Sequence, residues 1–193
     1  MALSDAVAYF TQQTHILASM AIACGTTDIV HTALGGCLTE AGDPVLPDTV
    51  YDLASLTKLY TCLLVYRLHE EGLLDLSAPV TAYAPQFTRL AGCTVDQLLG
   101  FEVGLVTPER VDAQPDAAAG LRVLQAIHPV DVGEGRAYSD MHAMVLRYVL
   151  EGAADLSYME LLHSRILQPL SLADTTARPD PLRCPSYAGE HRL

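Results

Sequence analysis

The chain has 193 residues, enough for one domain with a real core and few for two. Half of its residues are apolar and only 18% are charged, which excludes an intrinsically disordered chain. The 23 acidic against 11 basic side chains leave a net charge of −12 with no basic cluster, which excludes nucleic acid and anionic membrane surfaces as partners.

Residues 3–14 predict a short amphipathic helix. Residues 16–24 and 29–34 predict two strands, with Gly25-Thr26-Thr27-Asp28 as the hairpin turn between them. Residues 35–48 are loop. A helix is predicted from Ser55 to Glu71 with Gly72 just past its end, and because residues 59–66 are apolar on nearly every face it is expected to be central and buried. Residues 75–87 form a proline-punctuated connection with a helical turn or two. Thr94 caps a short helix over 95–99, residues 100–115 are loop, and 116–127 are helical. Residues 129–138 are loop again, and the last two helices span 141–151 and 158–168. The second of these opens on a capping box, Ser157 with Glu160, and stops at Pro169. Two strands followed by a long helical region predict a single α+β domain over 1–193, with residues 1–54 as helix and hairpin and 55–193 mainly helical.

No Lys or Arg precedes position 58, so the N-terminal apolar run lacks the cationic flank of a signal peptide, and residues 16–24 are too few to span a bilayer. Cys24, Cys37, Cys62, Cys93 and Cys184 form no C-x-x-C pair and read as free thiols of a reducing compartment. Both features predict a cytoplasmic, soluble protein. His15, His31, His128, His142, His163 and His191 show no metal-ligand spacing, so neither a metal nor another cofactor is expected. His69, Glu70 and Glu71 read as a solvated last helical turn, and Glu102 as an ordinary acid on a surface loop.

The chemistry-bearing residues stand out against this background. Ten of the eleven basic side chains are arginines, and Lys58 is the sole lysine. Arginine does not give up its proton in a protein, whereas a desolvated lysine does, so the one lysine is a candidate base. It lies three residues after Ser55. At a helix start this spacing puts hydroxyl and amine on one face, near backbone N–H groups and a positive dipole end that favour an oxyanion. Apolar packing around the helix is expected to lower the lysine pKa. The second cluster, Tyr138-Ser139-Asp140, precedes a helix: a phenol near a cationic lysine can ionise or relay protons, while Ser139 or Asp140 can cap the helix.

On these residues the chain resembles the serine β-lactamase and penicillin-binding protein family. Residues 47–75, which contain Ser55-Leu56-Thr57-Lys58, are similar to the S-x-x-K region of class C β-lactamases, D-alanyl-D-alanine peptidases and the related serine esterases and acyltransferases. Residues 138–170 resemble the family's Y-x-N region and the helices after it. The resemblance implies a β-lactamase/transpeptidase-like fold and an acyl-serine mechanism on a small ester or amide, with Ser55 as nucleophile, Lys58 as base and Tyr138 as proton relay. Asp140 then holds the substrate-binding third position of Y-x-N. Three departures accompany it. Asp140 replaces Asn; the family's L-L-T-H-T-S-G-L reads Leu98-Leu99-Gly100-Phe101-Glu102-Val103-Gly104-Leu105; and the late-strand K/H-T-G motif is absent before Leu193, for which His31-Thr32 is no substitute. The leading expectation is a serine hydrolase, and the alternative is a non-catalytic relative that keeps the scaffold for binding or assembly. With the sheet lacking its C-terminal strands, the chain is expected to be a fragment, or its hairpin to be completed by a further polypeptide or a second copy of the chain.

Overall fold

The computed structural model describes residues 2–13, 19–26, 29–37 and 43–178. They fall into two units, one built from residues up to Asp52 with the segment from Thr176, the other spanning Leu53–Thr175.

In the first unit the predicted helix is α1 (Leu3–Ala8), which continues as a wider π-helical turn, Tyr9–Gln13. β1 (Ser19–Gly25) and β2 (Val30–Gly36) pair antiparallel, with Ser19 opposite Gly36 and Gly25 opposite Val30. Residues 16–18 of the predicted first strand, and Thr27 and Asp28 of the predicted turn, lie outside the described residues. β2 runs two residues past the expected end. There Gly35 allows α1 to come close, since a Cβ on it would lie 2.4 Å from Cγ1 of the buried Val7.

The second unit is helical. A 3₁₀ turn, Ala54–Leu56, leads into α2 (Thr57–Glu70), and Gly72 follows in the left-handed region at φ +73°, as a C′ glycine does. The expectation of a helix buried on all sides is corrected. Thr61, Leu64, Val65 and Leu68 are buried, but Leu59, Leu63 and Tyr66 are about half exposed. The reason is that α2 packs from one side, against α5 (Asp140–Ala154), α6 (Tyr158–Leu162) and the π-helical turn His163–Leu167 that continues α6. Glu71 is also more than a solvated helix end, because it forms ion pairs with Arg67 at 2.9 Å and with Arg165 at 3.1 Å.

Between these helices the chain makes 3₁₀ turns at Val80–Ala82 and Thr88–Leu90, then α3 (Val95–Leu99) and α4 (Ala117–Gln125). The predicted caps are in place, Thr94 accepting from the Gln97 N–H and Ser157 from the Glu160 N–H, and Asp116, read as the first helical residue, is instead the N-cap of α4, accepting from the Ala119 N–H. Two strands read as loop from the sequence are present, β3 (Gly104–Val106) and β4 (His128–Val130), paired antiparallel. Three residues are too short for an alternating pattern. Gly104 makes room for the pair, as a Cβ there would lie 2.5 Å from Val130 Cγ2.

Leu64, Val65 and Leu68 of α2 share one core with Val145, Leu146, Val149 and Leu150 of α5, and with Phe87, Leu90 and Leu98. Each such side chain contributes about 1.5–3 kcal/mol on burial. At its far end α5 passes so close to the turn at Tyr83 that a Cβ on Gly152 would sit 1.9 Å from the Tyr83 carbonyl oxygen. Gly152→Ala is therefore expected to destabilise the protein by at least about 2 kcal/mol, since a backbone atom has to move. Urea unfolding at unchanged slope measures this directly.

Candidate active site

The residue before Ser55 shapes the start of α2. Ala54 has φ +45°, a left-handed conformation that costs a non-glycine residue about 1–3 kcal/mol and persists only where the surroundings hold it. The 3₁₀ turn after it leaves Ser55 exposed and places Lys58 one turn further along, with Nζ donating to Ser55 Oγ at 3.2 Å. The Lys58 side chain is only 14% exposed.

The second cluster arrives from 82 positions later in the sequence. Ser139 is the N-cap of α5, its hydroxyl accepting from the Met141 N–H at 3.1 Å. Capping by Ser139 frees Asp140, whose carboxylate is bonded by the Lys58 ammonium. The Tyr138 ring lies under the same ammonium, its centroid 4.9 Å from Nζ. Hence Ser55, Lys58, Tyr138 and Asp140, chosen from sequence, stand together at adjoining first turns of α2 and α5.

The electrostatics differ from the expectation in one respect. Desolvation pushes the Lys58 pKa down, as anticipated, but hydrogen bonds to Asp140 and Tyr138 and the charge of Asp140 outweigh it, and the net direction is upward. Lys58 at rest is an ammonium. Tyr138 moves the other way: hydrogen bonds with Ser55, then with Lys58, together with the lysine charge hold the phenol below its usual range.

Ser55, Lys58 and Tyr138 border a pocket of about 480 Å³ whose other walls are Leu53, Leu56, Leu59, Cys62 and Phe101. Among the described residues no three His, Cys, Asp or Glu side chains gather to hold a metal ion. Two residues of this region were not singled out as site residues from the sequence, Phe101 and His142. Phe101 packs on Tyr138 with centroids 5.1 Å apart, and the buried His142 packs on Phe101 at 4.8 Å. The departure of residues 98–105 from the family pattern was the available signal for Phe101. Glu102, on the same loop, faces Arg136 at 3.9 Å.

Comparison with known proteins shows the family. Residues 3–193 match the family model described as Beta-lactamase. The chain is 29% identical over 161 residues to the D-alanyl-D-alanine-carboxypeptidase/endopeptidase AmpH of Escherichia coli (strain K12), covering 76% of this chain and 42% of that protein. It is 30% identical over 177 residues to Esterase EstB of Burkholderia gladioli, covering 78% and 45%. A class C β-lactamase from Rhodobacter sphaeroides has the same fold over 87% of this chain and 48% of its own, with a TM-score of 0.70 at 23% identity. The chain thus spans less than half the length of each of these relatives.

The single lysine makes the electrostatic result measurable, because [15N]lysine labelling gives one side-chain ammonium signal. Asp140→Asn removes the charge that holds the proton on Lys58 and is expected to move its titration to lower pH with an unchanged circular dichroism spectrum. A raised folded-state pKa favours the folded state below the unfolded value, about 10.4 for lysine, and that contribution is lost as pH rises through the folded value. The stability gap between wild type and Asp140→Asn should accordingly hold through neutral pH and close in the alkaline range, as read by urea unfolding.

Proposed function

The chain belongs to the β-lactamase family, and on that premise we propose that it is a serine hydrolase that acts on small esters or amides through an acyl-Ser55 intermediate. The observation that carries this reading is the convergence of a serine hydroxyl, an ammonium and a phenol of lowered pKa from two separate segments of chain. Relatives bearing the names of a peptidase and an esterase support hydrolysis of a carboxylic ester or amide, and neither by itself selects the substrate of this chain.

In the proposed step Ser55 Oγ attacks the substrate carbonyl carbon as its proton passes to the Tyr138 oxygen. Lys58, kept protonated by Asp140, steadies the phenolate that receives it. The oxyanion forms beside the N-terminal end of α2, whose dipole favours negative charge. Collapse of the tetrahedral intermediate expels the alcohol or amine, which takes the proton from Tyr138 and leaves acyl-Ser55. Water, deprotonated by the same phenolate, then releases the acid and restores the Ser55 hydroxyl. Ser55 keeps the nucleophile's role that the resemblance implies, whereas the proton expected to pass to Lys58 passes to Tyr138, because Lys58 is held as an ammonium by Asp140. Among the described residues Cys24, Cys62 and Cys93 are free thiols, which is in keeping with the reducing, cytoplasmic setting proposed for the reaction.

A fluorophosphonate probe with peptide mapping tests the proposal. Ser55→Ala should abolish labelling with the fold unchanged, and full labelling of this variant would move the nucleophile elsewhere. Tyr138→Phe should slow labelling by about 10²–10⁴-fold, the range for losing a positioned acid–base group. Lys58→Arg keeps the charge but not the compact ammonium that reaches Ser55, Tyr138 and Asp140 together, and should cost more than about tenfold, or 1.4 kcal/mol of barrier.

A further inference from the structure

Tyr138 has little of its own to hold it. The side chain is 62% exposed and lies at the end of a loop that follows β4. What fixes it is the opposing loop at residues 100–103. There the Phe101 ring covers one side of the phenol, and the Phe101 carbonyl accepts from the Ala137 N–H at 2.9 Å. The Arg136 guanidinium donates to the Gly100 carbonyl. Phe101 itself sits at φ +57°, a conformation that a bulky side chain adopts only under constraint.

The constraint comes from His142. This imidazole is fully buried in the first turn of α5. Its ring packs on Phe101 at 4.8 Å, Nε2 is 2.9 Å from the Val103 carbonyl oxygen, and Nδ1 is 3.3 Å from the Ser139 carbonyl oxygen. A carbonyl oxygen only accepts, so the shorter contact makes Nε2 the donor to Val103. His142 thereby ties the loop that carries Phe101 to the helix that carries Asp140. A buried side chain placed between two backbone carbonyls and an aromatic ring has few alternative positions, so the tie is rigid.

We propose that His142 is a positioning residue for the hydrolysis: acting through Phe101 and Val103, it holds the Tyr138 phenol against Ser55 and Lys58. The proposal rests on the reading of Tyr138 as the proton acceptor, and it assigns a role to a histidine and a phenylalanine that touch no reacting atom in the proposed step. Substituting either one should displace the phenol without removing it. A displaced phenol loses the hydrogen bonds of Ser55 and Lys58 and titrates closer to the ordinary tyrosine value of about 10. The charged groups around it are Lys58 on α2, Asp140 on α5, and Glu102 and Arg136 on the two loops, all of which the substitutions leave in place.

The test combines two readouts on the full chain. The first is the Tyr138 titration, taken as the ultraviolet difference between each protein and its counterpart carrying Tyr138→Phe. The second is the pH profile of Ser55 labelling by a fluorophosphonate. His142→Phe keeps an aromatic ring but cannot donate to Val103. It should shift the Tyr138 titration to higher pH, move the labelling profile the same way and slow labelling at neutral pH by about tenfold or more. His142→Gln can still donate to Val103 and should recover most of the rate and the original profile. Phe101→Leu, at a half-buried position, should reproduce the His142→Phe shift even if the latter folds poorly. A merely structural role lowers the folded fraction and leaves the titration in place. Unchanged Tyr138 titration in folded His142→Phe and in Phe101→Leu would overturn the proposal. Failure of the wild type to label at Ser55 would instead overturn the hydrolase reading, while the Tyr138 titration still decides whether His142 positions the phenol.

Discussion

The packing of α2 against α5 is the constraint on which everything else in the helical unit depends. Leu64, Val65 and Leu68 on one helix and Val145, Leu146, Val149 and Leu150 on the other share a core, and burial of those seven side chains is worth on the order of 10 kcal/mol before entropy is charged against it. The register this packing selects brings the first turns of both helices together. Ser55 lies just before one and Lys58 on it, Tyr138 just before the other and Asp140 on it, and no local interaction along the chain would join segments separated by some eighty residues. The chemistry is held by side chains that take no part in it.

Two helix N-termini meeting in one place also explain the charge arrangement. Each presents the positive end of its dipole, and the Lys58 ammonium adds a full charge. Such a region favours anions, and the two it finds are the Asp140 carboxylate and, when ionised, the Tyr138 phenolate. Burial alone would have lowered the lysine pKa. Pairing with Asp140 reverses this, so the replacement of the family's Asn by Asp has a direct electrostatic consequence: the Lys58 pKa moves up while that of the Tyr138 phenol moves down. The carboxylate performs this task because Ser139, one residue earlier, has taken over the helix cap.

The segment at 98–105 follows a similar logic. Where the family has a polar His-Thr-Ser centre, this chain has Phe101, Glu102 and Val103, and the loop is secured by groups reaching it from outside: Arg136 to the Gly100 carbonyl, Ala137 to the Phe101 carbonyl and His142 to the Val103 carbonyl. Backbone carbonyls accept these bonds whatever side chains the loop carries, so the substitutions at 101–103 alter the ring beside Tyr138 without undoing the loop's attachment.

Much of this was legible in the sequence because it is governed by local rules. The caps at Thr94 and Ser157, the C′ glycine at 72, the two strands of the hairpin and the one-turn spacing of Ser55 and Lys58 all express preferences that act within a few residues. The lone lysine and the Tyr138-Ser139-Asp140 cluster marked the chemistry by residue type. Three things escaped the sequence. β3 and β4 are too short to carry a period, and their existence depends on Gly104 meeting Val130 across the fold. The exposed side of α2 looks the same in composition as its buried side, so only the placement of α5 distinguishes Leu64 from Leu63. The direction of the Lys58 pKa required knowing whether Asp140 caps its helix or pairs with the lysine, and the roles of Phe101 and His142 required knowing that they touch. Residue identity and near-neighbour spacing determined which groups are available for chemistry. Tertiary packing decided their protonation and support, because desolvation and charge pairing depend on distances between segments that are remote along the chain.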